Sequence, residues 1–177
     1  MRGYFAVGMD GVSKPMNLGN LMRIANAFDA SFFFTIAPQL KLSEARHSDT
    51  SATQGALPLY TYRNAEELRL PIGCRLVGVE ITENAVELPR FRHPQRAAYV
   101  FGAERHSLSP AILSRCEFVV KIPMKFSINV GMAGAIVLYD RLLSSGKFGD
   151  RPVVPGGKPG HVPPPHTWGA PLARDRR

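Results

Sequence analysis

The chain has 177 residues, 45% of them hydrophobic, enough for one well-packed domain, since about 150 residues bury roughly 70% of the surface they expose when unfolded. A formal charge of +8 favours a polyanionic partner, nucleic acid ahead of an anionic membrane surface, because clustered Lys and Arg release counterions from phosphates. The longest apolar run, Val130 to Tyr139, is ten residues, short of the roughly 20 that span a bilayer, so no membrane partner is expected.

In chain order, Tyr4 to Gly8 reads as a strand, and Leu18 to Phe28 as a helix with Leu18, Leu21, Met22, Ala25 and Phe28 on one face. Ser31 to Ile36 is a β-rich run, Leu59 to Tyr62 a weaker one, and Glu66 to Leu70 a remnant of helix. Strand character returns at Arg75 to Ile81 and at Ala98 to Phe101. A short helix near Pro110 to Ser114, a strand at Phe118 to Ile122 and a nearly all-apolar last helix complete the body. Such alternation predicts an α/β fold, a mostly parallel sheet with helices on both faces, whose ligands lie beyond the carboxyl ends of strands.

The folded domain is expected over residues 1–147. From Phe148 to Arg177 there are seven prolines and five glycines, with five Lys or Arg against two Asp, a basic, linker-like tail that also holds Trp168, the only tryptophan. Of the +8, +3 belongs to this tail, leaving +5 on the body. Asp10 breaks the apolar stretch of MRGYFAVGMDG before any cleavage pattern, so no signal peptide is read and a cytoplasmic protein is expected. Cys74 and Cys116 have neither CxxC spacing nor companion ligands, which predicts buried thiols and no metal site.

No GxGxxG follows the first strand and no GxxxxGK[ST] occurs, so dinucleotide and P-loop sites lack support. Three other stretches each follow a strand: MNLGNLMR (16–23), VFGAERHSLSP (100–110) and IPMKFSINVG (122–131). On their residues alone they stay ambiguous. Asn17 can be a helix N-cap and Arg23 a solvated helix arginine. Gly102 lets backbone approach a ligand, while Glu104 is either a surface carboxylate or a partner of Arg23. Ser127 and Asn129 straddle the start of a helix that needs one cap; either both satisfy first-turn N–H groups or one has another task.

Together the three stretches resemble the SpoU/TrmH-type family of RNA ribose 2′-O-methyltransferases, in the SPOUT superfamily, over roughly residues 4–143. Asn17-Leu-Gly-Asn-Leu-Met-Arg23 matches the first motif of that family and Phe101-Gly-Ala-Glu104 the second. Ile122-Pro-Met124 with Ser127-Ile-Asn129-Val130 matches the third. Ser107, where a glycine is common, and the short Met124 to Ser127 segment depart from the pattern and bear on loop conformation and substrate choice. The resemblance implies a homodimer of α/β domains with a deep C-terminal trefoil knot, an exception among folds, and S-adenosylmethionine as cofactor. It implies cofactor contacts from Val79, Gly102, Ile122, Met124, Ser127 and Ile128, and a catalytic set of Asn17, Arg23, Glu104, Ser127 and Asn129. The substrate it implies is RNA, transfer RNA ahead of ribosomal RNA. Two basic stretches are the expected RNA contacts, KLSEARHSD (41–49) with Arg46 and RFRHPQR (90–96) with Arg90, Arg92 and Arg96. A knotted enzyme acting on a base nitrogen and a non-catalytic RNA-binding module are the rival readings.

Overall fold

The first strand-like run forms β1 (Tyr4–Asp10), and the Pro at the next segment's first helical position opens α1 (Pro15–Ala27). There follow β2 (Phe32–Ile36), β3 (Leu59–Tyr62), β4 (Arg75–Val79), a two-residue β5 (Val86–Glu87) and a 3₁₀ turn at Leu88–Arg90. β6 (Arg96–Gly102), α2 (Pro110–Leu113), β7 (Phe118–Lys121) and α3 (Val130–Ser145) complete the order. This computed structural model describes residues 3–40, 57–103 and 107–145, all within the unit Met1–Lys147. Arg46 with the rest of 41–49, Glu104, and the tail with Trp168 lie outside the described residues.

Seven strands make one sheet in the order β3-β2-β1-β6-β4-β7-β5, and every neighbouring pair is parallel. A parallel sheet buries both faces, which is why its strands read as apolar runs rather than alternating ones. The pleat divides them. Val7, Met9, Phe33, Val77, Tyr99, Phe101 and Val120 pack under α1 and α3, against Leu18, Leu21, Met22, Val137 and Leu138. Ala6, Phe34, Ile36, Leu76, Ala98 and Val100 face the other way, onto Leu68, Leu108 and Ile112. Gly8 belongs to this second face, where any Cβ would enter the Phe34 ring.

Three expectations need correction. Glu66 to Leu70 is a turn, not helix: Asn64 Oδ1 accepts the Glu67 N–H at 2.9 Å, and Glu67 also takes the Arg63 backbone N–H at 3.0 Å. A side chain that satisfies the backbone locally competes with helix continuation, and among the described residues the helix packed on the second face is the one-turn α2. Asn17 is not an N-cap; α1 starts at Pro15 and Asn17 lies inside its first turn. Both cysteines are half-buried free thiols, with burial pushing Cys116 up to about 11.

Both helices of the first face are firmly placed. α1 closes with the Ala30 N–H on Ala25 O (2.9 Å) and the Asp29 N–H on Asn26 O (3.0 Å), a Schellman arrangement with Asp29 at φ +64°. α3 is anchored near its end by Arg141, 6% exposed, which donates to Pro94 O (2.6 Å), Gln95 O (2.9 Å) and Tyr99 Oη (3.2 Å) and stacks over Phe5 at 5.1 Å. His93 bridges Tyr99 Oη (2.6 Å) and Asp140 Oδ2 (2.9 Å). These contacts hold α3 to the loop that enters β6. Its other end is thereby fixed where β6 and its neighbours finish. Among the described residues no helix is long and apolar enough to cross a membrane.

Candidate functional site

β4, β6 and β7 are neighbours and end together, at Val79, Gly102 and Lys121. Beyond these ends lies a cavity of about 280 Å³, closed on one side by the 122–129 loop and the first turn of α3. The structure brings Val79, Gly102, Ile122, Met124, Ser127 and Ile128 to it, one set from three separate sequence stretches. Phe101, Val130 and Ala133 add apolar wall. Strand β7 stops where Pro123 removes a ladder donor, and the chain then curls over the cavity.

The two polar residues before α3 separate in role. Asn129 Oδ1 accepts the Gly131 N–H at 2.8 Å and its backbone carbonyl accepts the Ala133 N–H at 3.0 Å, so Asn129 is the helix cap. Its Nδ2 also donates to Asn17 Oδ1, 3.4 Å away, joining α3 to the first turn of α1. Asn17 is 5% exposed, and a buried amide needs such partners. Ser127 is exposed and lines the cavity.

Two carboxylates hold the loop that leaves β6. Glu80, directly after β4, takes the Ile81 N–H on Oε1 (2.9 Å) and the Leu108 N–H on Oε2 (2.8 Å). Buried Asp10, the last residue of β1, takes the Ser109 N–H on Oδ2 (2.8 Å). Ser109 Oγ in turn caps α2 through the Ile112 N–H at 3.3 Å. Ser107, just before this clamp, is part of the cavity wall. Charge-assisted bonds to backbone N–H groups are among the stronger hydrogen bonds, so the wall is set by β1 and β4 together.

Arg23 is not in the cavity lining. It is exposed on the outer face of α1 with Met16 and Asn20. Nor are the three remaining arginines gathered there. Arg90 is exposed and 3.9 Å from Glu87, and Arg92 is exposed. Arg96 opens β6 and Gly102 ends it, a separation of about 20 Å at strand rise. Sequence reading missed Glu80, Ile81, Ala103 and Lys121 as lining residues. The available signal was an acid at the end of a strand-like run, RLVGVE, a position at which α/β sheets often meet a nucleoside.

The SpoU rRNA Methylase family matches residues 4–139. The chain is 27% identical over 138 residues to a mouse tRNA (guanosine(18)-2′-O)-methyltransferase, covering 73% of this chain and 9% of the mouse protein. It is 25% identical over 151 residues to a putative TrmH family tRNA/rRNA methyltransferase of Staphylococcus haemolyticus, covering 80% and 59%. The chain therefore spans from under a tenth to about six-tenths of these relatives' lengths. Among solved structures, the SpoU methyltransferase AviRb of Streptomyces viridochromogenes superposes with TM-score 0.73 at 21% identity, over 82% of this chain and 61% of AviRb. A structure concerned with 2-OH methylation of C/U34 on tRNA superposes with TM-score 0.71 at 21% identity, over 81% and 97%. At such identities these structures share the fold.

Proposed function

Because the chain belongs to the SpoU rRNA methylase family, we propose that it transfers a methyl group from S-adenosylmethionine to a ribose 2′-hydroxyl of RNA, with transfer RNA preferred over ribosomal RNA. The observation that carries this reading is the meeting of Gly102, Ile122, Met124, Ser127 and Ile128 in one cavity beyond three parallel strands. The cavity's volume of about 280 Å³ is at the lower edge of small-molecule sites. Its apolar wall suits a purine face, the absence of a side chain at Gly102 suits close approach, and its carboxylate suits hydroxyl donors. A 27% identical relative named as a tRNA guanosine 2′-O-methyltransferase supports ribose and transfer RNA, and an AviRb structure in complex with AdoMet, at TM-score 0.70, supports the cofactor.

When bound, S-adenosylmethionine supplies the methyl group on a sulfonium, ready for in-line displacement. The protein's part is mostly alignment, which by itself can supply several kcal/mol. Ile122, Met124, Ser127 and Ile128 on one side and Ser107 on the other would hold the cofactor. Arg23 engages the substrate phosphate and lowers the barrier to hydroxyl deprotonation electrostatically. A guanidinium stays protonated and does not itself take the proton. Asn17 and Asn129 act on placement, by fixing the helix starts.

The reading also includes a C-terminal trefoil knot and a homodimer. Similarity of fold to SpoU structures supports the knot. An apolar stripe on α3 supports the dimer: Met132, Ile136, Tyr139 and Leu142 are exposed at spacings of four, three and three, one side of a helix, and Met16 on α1 is 69% exposed. We place the activity in the cytoplasm, whose reducing conditions keep thiols such as Cys74 and Cys116 free.

Methyl-labelled cofactor, the purified protein and RNA from a strain lacking it test the reading. Label recovered as a 2′-O-methylnucleoside is the expected result. Label on a base points to the base-nitrogen alternative, and no label with intact RNA binding points to a non-catalytic module.

A further inference from the structure

Within the cavity, Glu80 and Lys121 are the charged side chains among the described lining residues. Lys121 Nζ is turned to Thr82 O at 3.4 Å. Glu80 is held differently. Each carboxylate oxygen accepts one backbone N–H, from Ile81 at 2.9 Å and from Leu108 at 2.8 Å. Two anchors 27 residues apart in sequence fix both the position and the plane of the group. A carboxylate offers about four acceptor sites, so one remains on each oxygen after the two backbone bonds are made.

Two adjacent, oriented acceptors on one rigid group complement a vicinal diol. A sulfonium has no N–H or O–H to donate and uses only charge, and the three donors of an ammonium diverge from one nitrogen, whereas the two hydroxyls of a diol stand side by side on adjacent carbons. Resting on the methyltransferase reading above, we infer that Glu80 is the residue that accepts both hydroxyl hydrogens of the cofactor's ribose, so that one side chain binds the nucleoside and clamps the wall that encloses it. The arrangement couples the two tasks: Leu108 follows Ser107 of the cavity wall, so a diol seated on Glu80 is automatically in register with that wall. Position agrees with the chemistry, because Glu80 comes straight after Val79 at the carboxyl end of β4, where a nucleoside's sugar meets an α/β sheet.

The test uses the full chain, calorimetry, and two probes, S-adenosylhomocysteine and its 2′-deoxyribose analogue, with S-adenosylmethionine as the charged control. Wild type should bind the ribose form about tenfold or more tightly than the deoxy form, as expected for a hydrogen bond to a charged acceptor. In Glu80→Gln that ratio should fall to below about threefold, since an amide presents one acceptor in place of two. A Glu80 that only clamps the loop would weaken both probes alike and leave the ratio unchanged, which overturns the inference. A loss confined to S-adenosylmethionine, with S-adenosylhomocysteine unaffected, would show a charge contact with the sulfonium and also overturns it. If the variant does not fold, wild type decides: equal affinity for the two probes removes the diol contact while leaving the cofactor reading standing. Wild type that binds neither probe removes the cofactor reading itself, and the inference with it.

Discussion

Asn129 Nδ2 reaches Asn17 Oδ1 over 3.4 Å, a bond between the residue that caps α3 and a buried residue in the first turn of α1. It ties together two segments 112 residues apart, each at the mouth of its own strand-to-helix connection. The same Asn129 accepts the Gly131 N–H, so α3 cannot shift relative to α1 without either breaking the bond to Asn17 or giving up its own cap.

Asn129→Ala removes a cap, usually worth about 1 kcal/mol, and leaves the Asn17 amide short of a partner, which costs a further ~1–3 kcal/mol for a buried group. The urea midpoint should fall by an amount equivalent to about 2–4 kcal/mol. In an Asn17→Leu background the second part of the loss should vanish, so the two changes should be clearly non-additive. Simple additivity in equilibrium unfolding would show that the two amides are not coupled.

Close packing of the same helices gives a second prediction. A Cβ added to Gly134 would run into Leu21 Cδ1, and overpacking of this kind costs about 1–3 kcal/mol. Alanine also gains about 1 kcal/mol over glycine inside a helix, so Gly134→Ala should lose about 0–2 kcal/mol net, and Leu21→Ala should relieve the clash, so that the double variant is less destabilised than the two single losses together. Thermal unfolding of the four proteins measures the difference.

Which parts of this could be read from the chain follows from what each part is made of. β1, β2, β4, β6 and β7 were legible because strands buried on both faces are written as continuous apolar runs. β5 was not, since Val86 and Glu87 are both exposed and owe their strand geometry to pairing with Val120 and Lys121 at the sheet edge. The start of α1 is signalled by Pro15, whereas its periodic apolar face begins only at Leu18. The six expected cavity residues came through motif resemblance; no periodicity places Gly102 beside Ile128. Glu80 ends a strand-like run and has the sequence appearance of a surface charge; only the fold shows Leu108 returning to it. Arg90 to Arg96 looked like one patch because they are adjacent in sequence, whereas the chain there runs from the edge turn after β5 to the start of β6.

His93 makes the stability of the fold sensitive to pH. Burial depresses its pKa below the ordinary value, outweighing the opposing pull of Asp140, and the neighbouring Arg141 lowers it further. The unfolded chain, with a His pKa near 6.5, then takes up a proton more readily than the folded one. Stability from this source is present in full above about pH 6.5 and is lost as pH falls from there toward the depressed folded value. Denaturant midpoints measured from pH 8 down to pH 5 should drop more steeply in wild type than in His93→Gln, which keeps hydrogen-bonding capacity toward Tyr99 and Asp140 without titrating. Parallel curves would show that His93 is not the group responsible.

Arg23 separates a catalytic arginine from an ordinary helix residue. It is exposed on α1 and outside the cavity lining, so Arg23→Ala should keep cofactor affinity and unfold normally. If its guanidinium meets phosphate and reacting hydroxyl in the transition state, methyl transfer should fall by roughly 10²- to 10³-fold, about 3–4 kcal/mol, the usual loss for one pre-positioned charged donor. Arg23→Lys should also be poor, because an ammonium is a point charge and cannot form the two parallel bonds of a guanidinium on a phosphate. A surface arginine without this role predicts a change below about threefold for both substitutions, since such positions contribute under roughly 0.5 kcal/mol. Single-turnover transfer at saturating cofactor reads the chemical step apart from RNA release, and near-normal transfer by the alanine variant would take Arg23 out of the mechanism.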